Sequence, residues 1–415
     1  MNRYISEIRI NKLYHLSDIT ISLGDDAAPH LILTGKNGSG KTVLLQAMAD
    51  FLDNIKDDTS RGFLQYPQLI EEAAADVAHY PEGSEKQREA AVILEGYRRS
   101  YDSIIGKVNL KFTDGYRFID EYSHGNFIIA FYKASRKSEI TEPKSPQQPN
   151  LTSRGKADHN LTPELLKFLS HIYIQEALSR SGGQTGHADT IRRWIDKFEG
   201  ILKRFYEDPE LRIAFNYLDY TFLIHTGGKS FKFTEMADGF TAILEIVADL
   251  AMKMQAEGPL SENFDKPGIV LIDEIETHLH LKLQKIILPA LTEIFPKIQF
   301  IVSSHSPFVL SSLPTATAYD MERHKPIGNL AEYSYQALVE GYFGLSTDSD
   351  YSLLRYNELK RLLEKEELTA AERLTARHIL EEYRKIPEFY STEIVGAFRN
   401  LEILHHDRIK QLAGR

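Results

Sequence analysis

One eight-residue segment constrains this chain more than any other. Residues 35–42 read GKNGSGKT and fit the pattern G-x-x-x-x-G-K-[ST] at every position. The apolar run Leu31–Leu33 before them predicts a strand buried on both faces, and helical spacing of apolar residues follows over 43–52. In this order, a glycine-rich turn aims its backbone N–H groups and the positive end of a helix dipole at an anion. We predict a phosphate-binding loop, against the alternative of a glycine-rich turn without function.

The residue types in this loop suit a nucleotide. Glycines let the backbone wrap around phosphate oxygens where a side chain would clash. Lys41 reaches the β- and γ-phosphates as a point charge, and the Thr42 hydroxyl is a ligand for Mg²⁺. The predicted nucleotide-binding residues of the loop are Gly35, Lys36, Asn37, Gly38, Ser39, Gly40, Lys41 and Thr42.

Two carboxylates follow a second apolar strand. The run Ile269–Ile272 is followed directly by Asp273 and Glu274. Carboxyl ends of parallel strands meet at the sheet edge where a phosphate loop also lies. We predict that Asp273 holds Mg²⁺ through water and that Glu274 is the general base, or positions the water that attacks the γ-phosphate. The alternative is an ordinary strand that ends in a polar turn.

A histidine follows a third apolar strand. The strand predicted at Phe300–Ser303 leads to His305, which therefore reaches the same edge. We predict that His305 hydrogen-bonds the γ-phosphate and senses its loss, with a structural histidine as the alternative. The predicted catalytic residues are thus Lys41, Glu274 and His305.

Composition excludes several other classes. The 415 residues include no cysteine, so disulfides, thiolate zinc sites and cysteine nucleophiles are impossible. The net charge of −10 disfavours a protein that coats nucleic acid. We expect no signal peptide and no membrane span, since no apolar run of about 18 residues occurs, and we expect a cytoplasmic protein.

The order of the predicted elements indicates an α/β fold. From residue 241 onward helices alternate with apolar strands, which predicts a parallel sheet. Residues 139–160 are rich in Pro, Ser and Gln and predict a flexible linker. We also expect a strand over Tyr116–Ile119 and helices from Thr162 to about residue 215.

The motifs together resemble the ABC-type ATPases of the SMC and RecF kind, and more closely the bacterial "AAA family" ATPases of anti-phage defence loci such as the Septu type. The segments that carry this resemblance are LTGKNGSGKT (33–42), MADGF (236–240), GIVLIDEIETHLH (268–280), QFIVSSHSPFVLSSL (299–313) and YSYQALVEGYFGLSTDSD (333–350). The resemblance implies an ABC-type P-loop ATPase core with a mixed sheet, a helical insertion and a helical C-terminal extension.

This organisation assigns a role to each part of the chain. We predict a core segment with the phosphate loop (1–52), a helical insertion (53–107), core strands (108–138), a linker and helical subdomain (139–215), the second part of the core (216–324) and a helical partner-docking extension (325–415).

In such ATPases a signature loop of one subunit caps the nucleotide of another. The resemblance puts this loop at residues 236–240, with Asp238 and Gly239 as nucleotide contacts. The usual serine is replaced by Ala237, which implies slow or regulated hydrolysis. Ser181–Gln184 spells part of the same signature, but we interpret it as a turn that ends a helix.

Further polar segments leave alternatives open. Residues 276–280 (ETHLH) fit a zinc site, but the resemblance favours a loop that contacts the partner subunit. Gln65 and Gln68 are candidates for the family's metal-contacting glutamine. Arg136 either stabilises phosphate charge or belongs to a solvated basic turn.

The C-terminal region has two interpretations. Residues 338–341 (LVEG), with Asp348 and Asp350, mimic the start of a metal-dependent nuclease, but no strands with carboxylate ends follow. We therefore predict helices that dock a partner or a second copy, with Leu359, Leu362 and Leu363 at the seam.

The resemblance implies an ATPase with ATP and Mg²⁺ whose nucleotide-driven closure of a homodimer, or a higher homo-oligomer, regulates a separate effector nuclease in anti-phage defence. Two alternatives remain: a DNA-repair or chromosome-maintenance ATPase that binds DNA directly, and a non-hydrolysing scaffold held together by ATP. DNA contact is possible through basic spots on the helices, at Arg98–Arg99, Arg192–Arg193, Lys197 and Lys203–Arg204.

Overall fold

A computed structural model describes residues 3–24, 29–56, 62–136, 140–145, 147–257, 260–261, 264–328, 330–333, 335–342, 350–385 and 392–413. The chain divides into two compact units, Met1–Glu332 and Tyr333–Arg415. The six-part division of the sequence stays a prediction. Among the residues that the structure describes, no helix is both long enough and apolar enough to cross a bilayer.

All strands assigned in the described residues belong to the first unit. They are β1 (Ile5–Leu13), β2 (Leu16–Ser22), β3 (Leu31–Thr34), β4 (Val108–Tyr116), β5 (Ile128–Tyr132), β6 (Arg212–Asn216), β7 (Thr221–Thr226), β8 (Lys229–Lys232), β9 (Gly268–Ile272), β10 (Ile298–Ser303), β11 (Thr317–Asp320) and β12 (Lys325–Ile327).

The helices of the first unit are α1 (Lys41–Ile55), α2 (Gly62–His79), α3 (Glu85–Ile105), α4 (Phe118–Ser123), α5 (Leu165–Ser181), α6 (Thr185–Tyr206), α7 (Asp238–Lys253), α8 (Leu281–Ile294) and α9 (Pro307–Leu310). Short 3-10 turns cover Thr162–Glu164, Phe233–Glu235 and Leu330–Glu332. The second unit contains α10 (Tyr335–Ala337), a π-helical turn at Leu338–Tyr342, α11 (Asp350–Glu364), α12 (Ala370–Arg384), α13 (Thr392–Leu404) and α14 (His406–Ala413).

A six-stranded mixed sheet forms the centre of the first unit. Its order is β12-β11-β3-β10-β9-β5, in which β12 is antiparallel and the other neighbours are parallel. Every residue of β3, β9 and β10 is buried, as their continuous apolar runs predict. Ser303 pairs with Leu33 and Val302 pairs with Ile272, so these three strands end at one level. The predicted α/β fold is confirmed.

A smaller antiparallel sheet, β2-β1-β4, packs on the core around α1. The fully buried amide of Gln299 ties this sheet to the central one. Its Oε1 accepts from the N–H of Ile5 at 2.8 Å, and its Nε2 donates to the carbonyls of Ile5 and Pro29. Helices α2 and α3 pack on each other within the region predicted as a helical insertion.

Two local predictions are wrong. Residues 118–123 form helix α4 rather than a strand, because Phe118, Ile119 and Tyr122 bury an apolar face with helical spacing. The helices after Thr162 end at Tyr206, and 212–216 is strand β6, whose alternation pairs with β7.

The segment predicted as a flexible linker is anchored to the core at Gly155 and Ala157. The carbonyl of Gly155 accepts from Lys56 Nζ and from the Tyr122 hydroxyl. The carbonyl of Ala157 accepts from the N–H of Phe131 at 2.7 Å, and its own N–H donates to Asp53. The segment therefore covers the edge strand β5 without forming a helix or strand in its described residues.

The second unit is built around a helical core of its own. Leu359, Leu362 and Leu363 are at most 2% exposed and pack against α12, α13 and α14. The prediction that they form a seam with a partner is therefore wrong, because the helices fold back on one another and bury this face. In the described residues from 330 onward every regular element is helical, and residues 338–341 lie in a π-helical turn rather than after a strand. Asp348 lies outside the described residues, and Asp350 begins α11.

Candidate active site

The loop between β3 and α1 has the backbone that its glycines predict. Gly35, Gly38 and Gly40 have φ of 129°, 83° and 96°, a region that L side chains avoid. A Cβ on Gly40 would also lie 2.6 Å from Leu16 Cδ1, at the turn between β1 and β2. The loop therefore needs glycine at position 40 both for its dihedral angle and for space.

Lys41 begins α1 and folds back over the loop. Its side chain is buried, and its Nζ donates to the carbonyls of Gly35 at 2.7 Å and Lys36 at 3.1 Å. Burial lowers the pKa of Lys41, while the charges of Asp273, Glu274 and Glu276 oppose that shift. The ammonium group is thus held at the mouth of the loop, where it can pair with phosphate oxygens.

Thr42 and Asp273 meet as the sequence predicts. The Thr42 hydroxyl donates to Asp273 Oδ1 at 3.2 Å, and the Ser303 hydroxyl donates to the same oxygen at 2.6 Å. Asp273 is 2% exposed, and its N–H donates to the carbonyl of Tyr132 on β5. Hard oxygen donors from two elements converge at this point, a donor set that fits Mg²⁺.

Glu274 and His305 flank this pair. Glu274 has a left-handed backbone, with φ of 45°, and its N–H donates to the Ser303 hydroxyl at 2.8 Å. The N–H of His305 donates to Glu276 Oε1 at 2.5 Å. Burial, and then the positive charge of Lys41, lower the pKa of His305 below its ordinary 6.5, so the imidazole is neutral at pH 7.

A cavity of about 440 Å³ brings most of these residues together. Its lining combines residues of the phosphate loop and the start of α1, all three predicted catalytic residues and the residues around the β1–β2 turn: Leu13, Tyr14, His15, Leu16, Asn37, Gly38, Gly40, Lys41, Thr42, Val43, Glu274 and His305. A volume in this range suits a nucleotide-sized ligand.

Sequence reasoning missed the contribution of the β1–β2 turn and of Ser303. Tyr14 lines the cavity with φ of 55° and is 80% exposed. An exposed aromatic residue in a two-residue turn between alternating strands was the available signal. Ser303 offered no comparable signal, because its role depends on the register between β9 and β10.

The predicted signature loop lies beside the ETHLH segment. A Cβ on Gly239 would lie 2.7 Å from the His278 carbonyl, and the Phe240 ring stacks on Tyr206 with centroids 3.9 Å apart. Asp238 and Gly239 do not line the cavity of their own chain. Their role toward the nucleotide of another subunit stays a prediction.

Several other sequence candidates lie elsewhere. Gln65 and Gln68 are exposed on α2, where Gln68 donates to Glu72, and neither lines the cavity. Ser181–Gln184 joins α5 to α6, which confirms the predicted turn. Arg136 is 6% exposed, so a solvated basic turn is excluded.

Comparison with known proteins assigns the family. The family model described as "AAA domain, putative AbiEii toxin, Type IV TA system" matches residues 60–311, more than half of the 415-residue chain. The chain belongs to this family. The matched range begins after the phosphate loop and includes Asp273, Glu274 and His305.

Two curated proteins similar to this chain are a Septu protein and a retron ATPase. The Septu protein PtuA of Bacillus mycoides (strain KBAB4) is 26% identical over 322 residues, 75% of this chain and 39% of that protein. The Retron Vc95 probable ATPase of Vibrio cholerae serotype O1 biovar El Tor is 32% identical over 231 residues, 52% of this chain and 43% of that protein. This chain thus spans about two fifths of the length of either relative.

The resemblance to the bacterial AAA-family ATPases of the Septu type is confirmed by the family match and the Septu relative. Among solved structures, an Smc head bound to the C-winged helix domain of ScpA matches with a TM-score of 0.38 and 13% identity, over 78% of this chain and 97% of that one. A score this low carries no argument about function.

Proposed function

We propose that this chain binds and hydrolyses ATP with Mg²⁺ at the phosphate loop. The observation that carries this proposal is the 3.2 Å contact between Thr42 Oγ1 and Asp273 Oδ1, beside the buried ammonium of Lys41. A hydroxyl, a carboxylate and a cation lie together at a glycine-rich loop, which is the chemistry that a triphosphate with a divalent cation requires.

The residues divide the reaction between them. Lys41 and the loop N–H groups bind the β- and γ-phosphates, while Thr42 and Asp273 hold Mg²⁺, which neutralises charge that develops on the phosphates. Glu274 accepts a proton from, or orients, the attacking water. His305 hydrogen-bonds the γ-phosphate, so its contact disappears once that group leaves.

The proposal extends to assembly. We infer that two chains face each other, as a homodimer or within a higher homo-oligomer, and that the 236–240 loop of each caps the nucleotide of the other. Two observations support this inference. The 236–240 loop leads into α7, and the N–H groups at the start of a helix favour an anion. Asp238 and Gly239 do not line the cavity of their own chain. Since Ala237 supplies no hydroxyl, turnover by the isolated chain is slow.

The effector is a separate protein in this proposal. We infer that closure regulates a nuclease in anti-phage defence, in the cytoplasm, and that the unit Tyr333–Arg415 docks it. Support comes from the relatives, a Septu protein and a retron ATPase, and from large apolar side chains that this unit leaves exposed: Tyr351, Leu354, Leu374, Ile403 and Leu404.

Direct DNA binding receives less support. Arg192 pairs with Asp196, Lys203 with Glu199, and Arg204 with Glu293, so these cations are already compensated by carboxylates. The experiment below separates DNA-stimulated turnover from regulation of a partner.

The Glu274→Gln variant tests the proposal. We expect ATP affinity to stay within about threefold, turnover to fall by about 100-fold or more, and ATP to convert monomers into stable dimers detected by light scattering. Glu293→Gln, on the exposed face of α8, is the matched control and should behave as wild type. Wild-type turnover that rises only with DNA would favour the repair alternative, and a wild-type dimer with no turnover would favour the scaffold.

A further inference from the structure

Arg136 is a buried cation next to the candidate active site. It follows β5 by four residues and is 6% exposed. Its Nη2 donates to the Glu274 carbonyl at 2.8 Å and lies 3.4 Å from the Ile275 carbonyl. One guanidinium nitrogen thus holds two successive carbonyls of the turn that carries the predicted water-activating carboxylate.

That turn is strained and needs such support. A left-handed backbone at a non-glycine residue, as at Glu274 with φ of 45°, is unfavourable and persists only where surrounding contacts enforce it. The enforcing contacts are the Ser303 hydroxyl on the Glu274 N–H, the Thr277 N–H on the Glu274 carbonyl, and Arg136.

The same turn reaches His305. Glu276, two residues after Glu274, accepts the His305 N–H through Oε1 at 2.5 Å. A shift of the turn would therefore move both the Glu274 carboxylate and the histidine. We propose that Arg136 is a positioning residue that fixes the turn 274–276 so that Glu274 and His305 face the γ-phosphate together. This inference rests on the proposed ATPase function.

Direct contact of Arg136 with phosphate is the competing role. The cavity lined by Lys41, Thr42 and Glu274 does not include Arg136 among its described lining residues. Nη2 of Arg136, the nitrogen that makes hydrogen bonds, donates to backbone carbonyls and is therefore already engaged.

A role in stability alone is also disfavoured. Nε and Nη1 of Arg136 are buried without a hydrogen-bond partner in the part of the chain that the structure describes. Burial of a guanidinium with two unsatisfied nitrogens costs free energy that an apolar side chain of similar volume would avoid. Burial also lowers the pKa of Arg136, and the nearby carboxylates of Glu245 and Glu276 oppose that shift.

The test compares Arg136→Met, which keeps the length of the side chain without its donors, with Arg136→Lys, which restores one donor group. For Arg136→Met we expect kcat to fall at least tenfold, with KM for ATP and the measured ATP affinity within about threefold of wild type. Arg136→Lys should recover part of that loss. Arg154→Met, which removes an exposed arginine paired with Glu257, is the matched control.

A double variant identifies the target of Arg136. In the Glu274→Gln background, Arg136→Met should lower the residual turnover by much less than it lowers wild-type turnover, because one of the two side chains that it positions is already gone. Melting temperatures confirm that each variant is folded. If Arg136→Met does not fold, Arg136→Lys alone tests the inference, and we expect it to have a reduced kcat at an unchanged KM.

Other outcomes overturn the inference. A tenfold rise in KM with kcat retained would assign Arg136 to phosphate binding. A Lys variant no more active than Arg136→Met would show that a donor to the two carbonyls is not what the turn requires. A full further loss in the double variant would show that Arg136 acts independently of Glu274. A wild-type chain without ATP turnover would contradict the proposed function itself, whereas an active wild type with an equally active Arg136→Met variant would contradict this inference alone.

Discussion

Ser303 and Asp273 share a buried hydrogen bond of 2.6 Å between Oγ and Oδ1, although 30 positions separate them in the chain. The same hydroxyl accepts the N–H of Glu274 at 2.8 Å. One side chain at the end of β10 therefore orients both carboxylate residues at the end of β9.

This relationship predicts a catalytic defect in Ser303→Ala. We expect kcat to fall about tenfold and the Mg²⁺ concentration for half-maximal turnover to rise by a similar factor, since groups that orient a metal-binding carboxylate typically contribute 10- to 100-fold. A Mg²⁺ titration of steady-state turnover measures both quantities.

Ser304→Ala is the matched control. Ser304 is equally buried, but its hydroxyl accepts from the N–H of Ser306 and makes no contact with Asp273. If both variants respond to Mg²⁺ alike, the defect of Ser303→Ala reflects general loss of packing rather than carboxylate orientation.

His305→Ala should change the preference between nucleotides. A hydrogen bond to a charged partner contributes about 1.5–3 kcal/mol, so losing one to the γ-phosphate should weaken ATP binding by about tenfold or more. ADP affinity should stay within about twofold, because ADP has no γ-phosphate. Calorimetric titration of the variant with each nucleotide checks this, and an equal loss for ADP would contradict a γ-phosphate contact.

Two glycines of the phosphate loop should differ in their tolerance of alanine. Gly38 and Gly40 both have positive φ, but a Cβ on Gly38 meets nothing within 4 Å, whereas one on Gly40 lies 2.6 Å from Leu16 Cδ1. We expect Gly38→Ala to lower the free energy of unfolding by about 1 kcal/mol and Gly40→Ala by about 2–4 kcal/mol.

The close contact at position 40 can be tested by shortening the Leu16 side chain. Leu16→Ala in the Gly40→Ala background should recover part of the free energy of unfolding, measured by urea denaturation with Leu16→Ala alone as the reference. If the losses in free energy of unfolding of the two single variants simply add in the double variant, the dihedral angle, rather than contact with Leu16, disfavours alanine at position 40.

The core of this site could be predicted from sequence because it follows from local patterns. The G-x-x-x-x-G-K-[ST] segment fixes its own loop, and Asp273 and His305 follow continuous apolar runs that favour buried parallel strands, which the structure has at β9 and β10. Since the carboxyl ends of such strands lie at one edge of the sheet, the sequence alone was enough to predict that Asp273 and His305 lie near Lys41.

The remaining features depend on pairings that one sequence does not encode locally. The anchoring of Ala157 to Phe131 depends on which strand is left at the sheet edge, and the burial of Leu359 within the second unit depends on how its helices fold back. The amphipathic pattern at Leu359 was visible, but an apolar stripe does not say whether its partner is the same chain or another.

His30 predicts a pH dependence of folding that is independent of nucleotide. It precedes β3, is 8% exposed, and its Nδ1 accepts the N–H of Phe300 at 3.1 Å. Burial lowers its pKa from 6.5 to about 4. The neutral form is therefore required in the folded state, whereas the unfolded chain takes up a proton below pH 6.5.

The direction of this pH dependence follows from proton linkage. Between pH 6.5 and about 4 the unfolded state binds more protons at this position, so the free energy of unfolding falls as the pH falls. From pH 7.5 to pH 5 this one group removes about 2 kcal/mol. His30→Asn keeps an acceptor near Nδ1 without a titrating group, so urea denaturation should show the variant gaining about 2 kcal/mol on wild type between pH 7.5 and pH 5. His187→Asn, at an exposed position of α6, is the control. A His30→Asn effect that is the same at both pH values would mean that the pKa of His30 is the same in the folded and the unfolded protein.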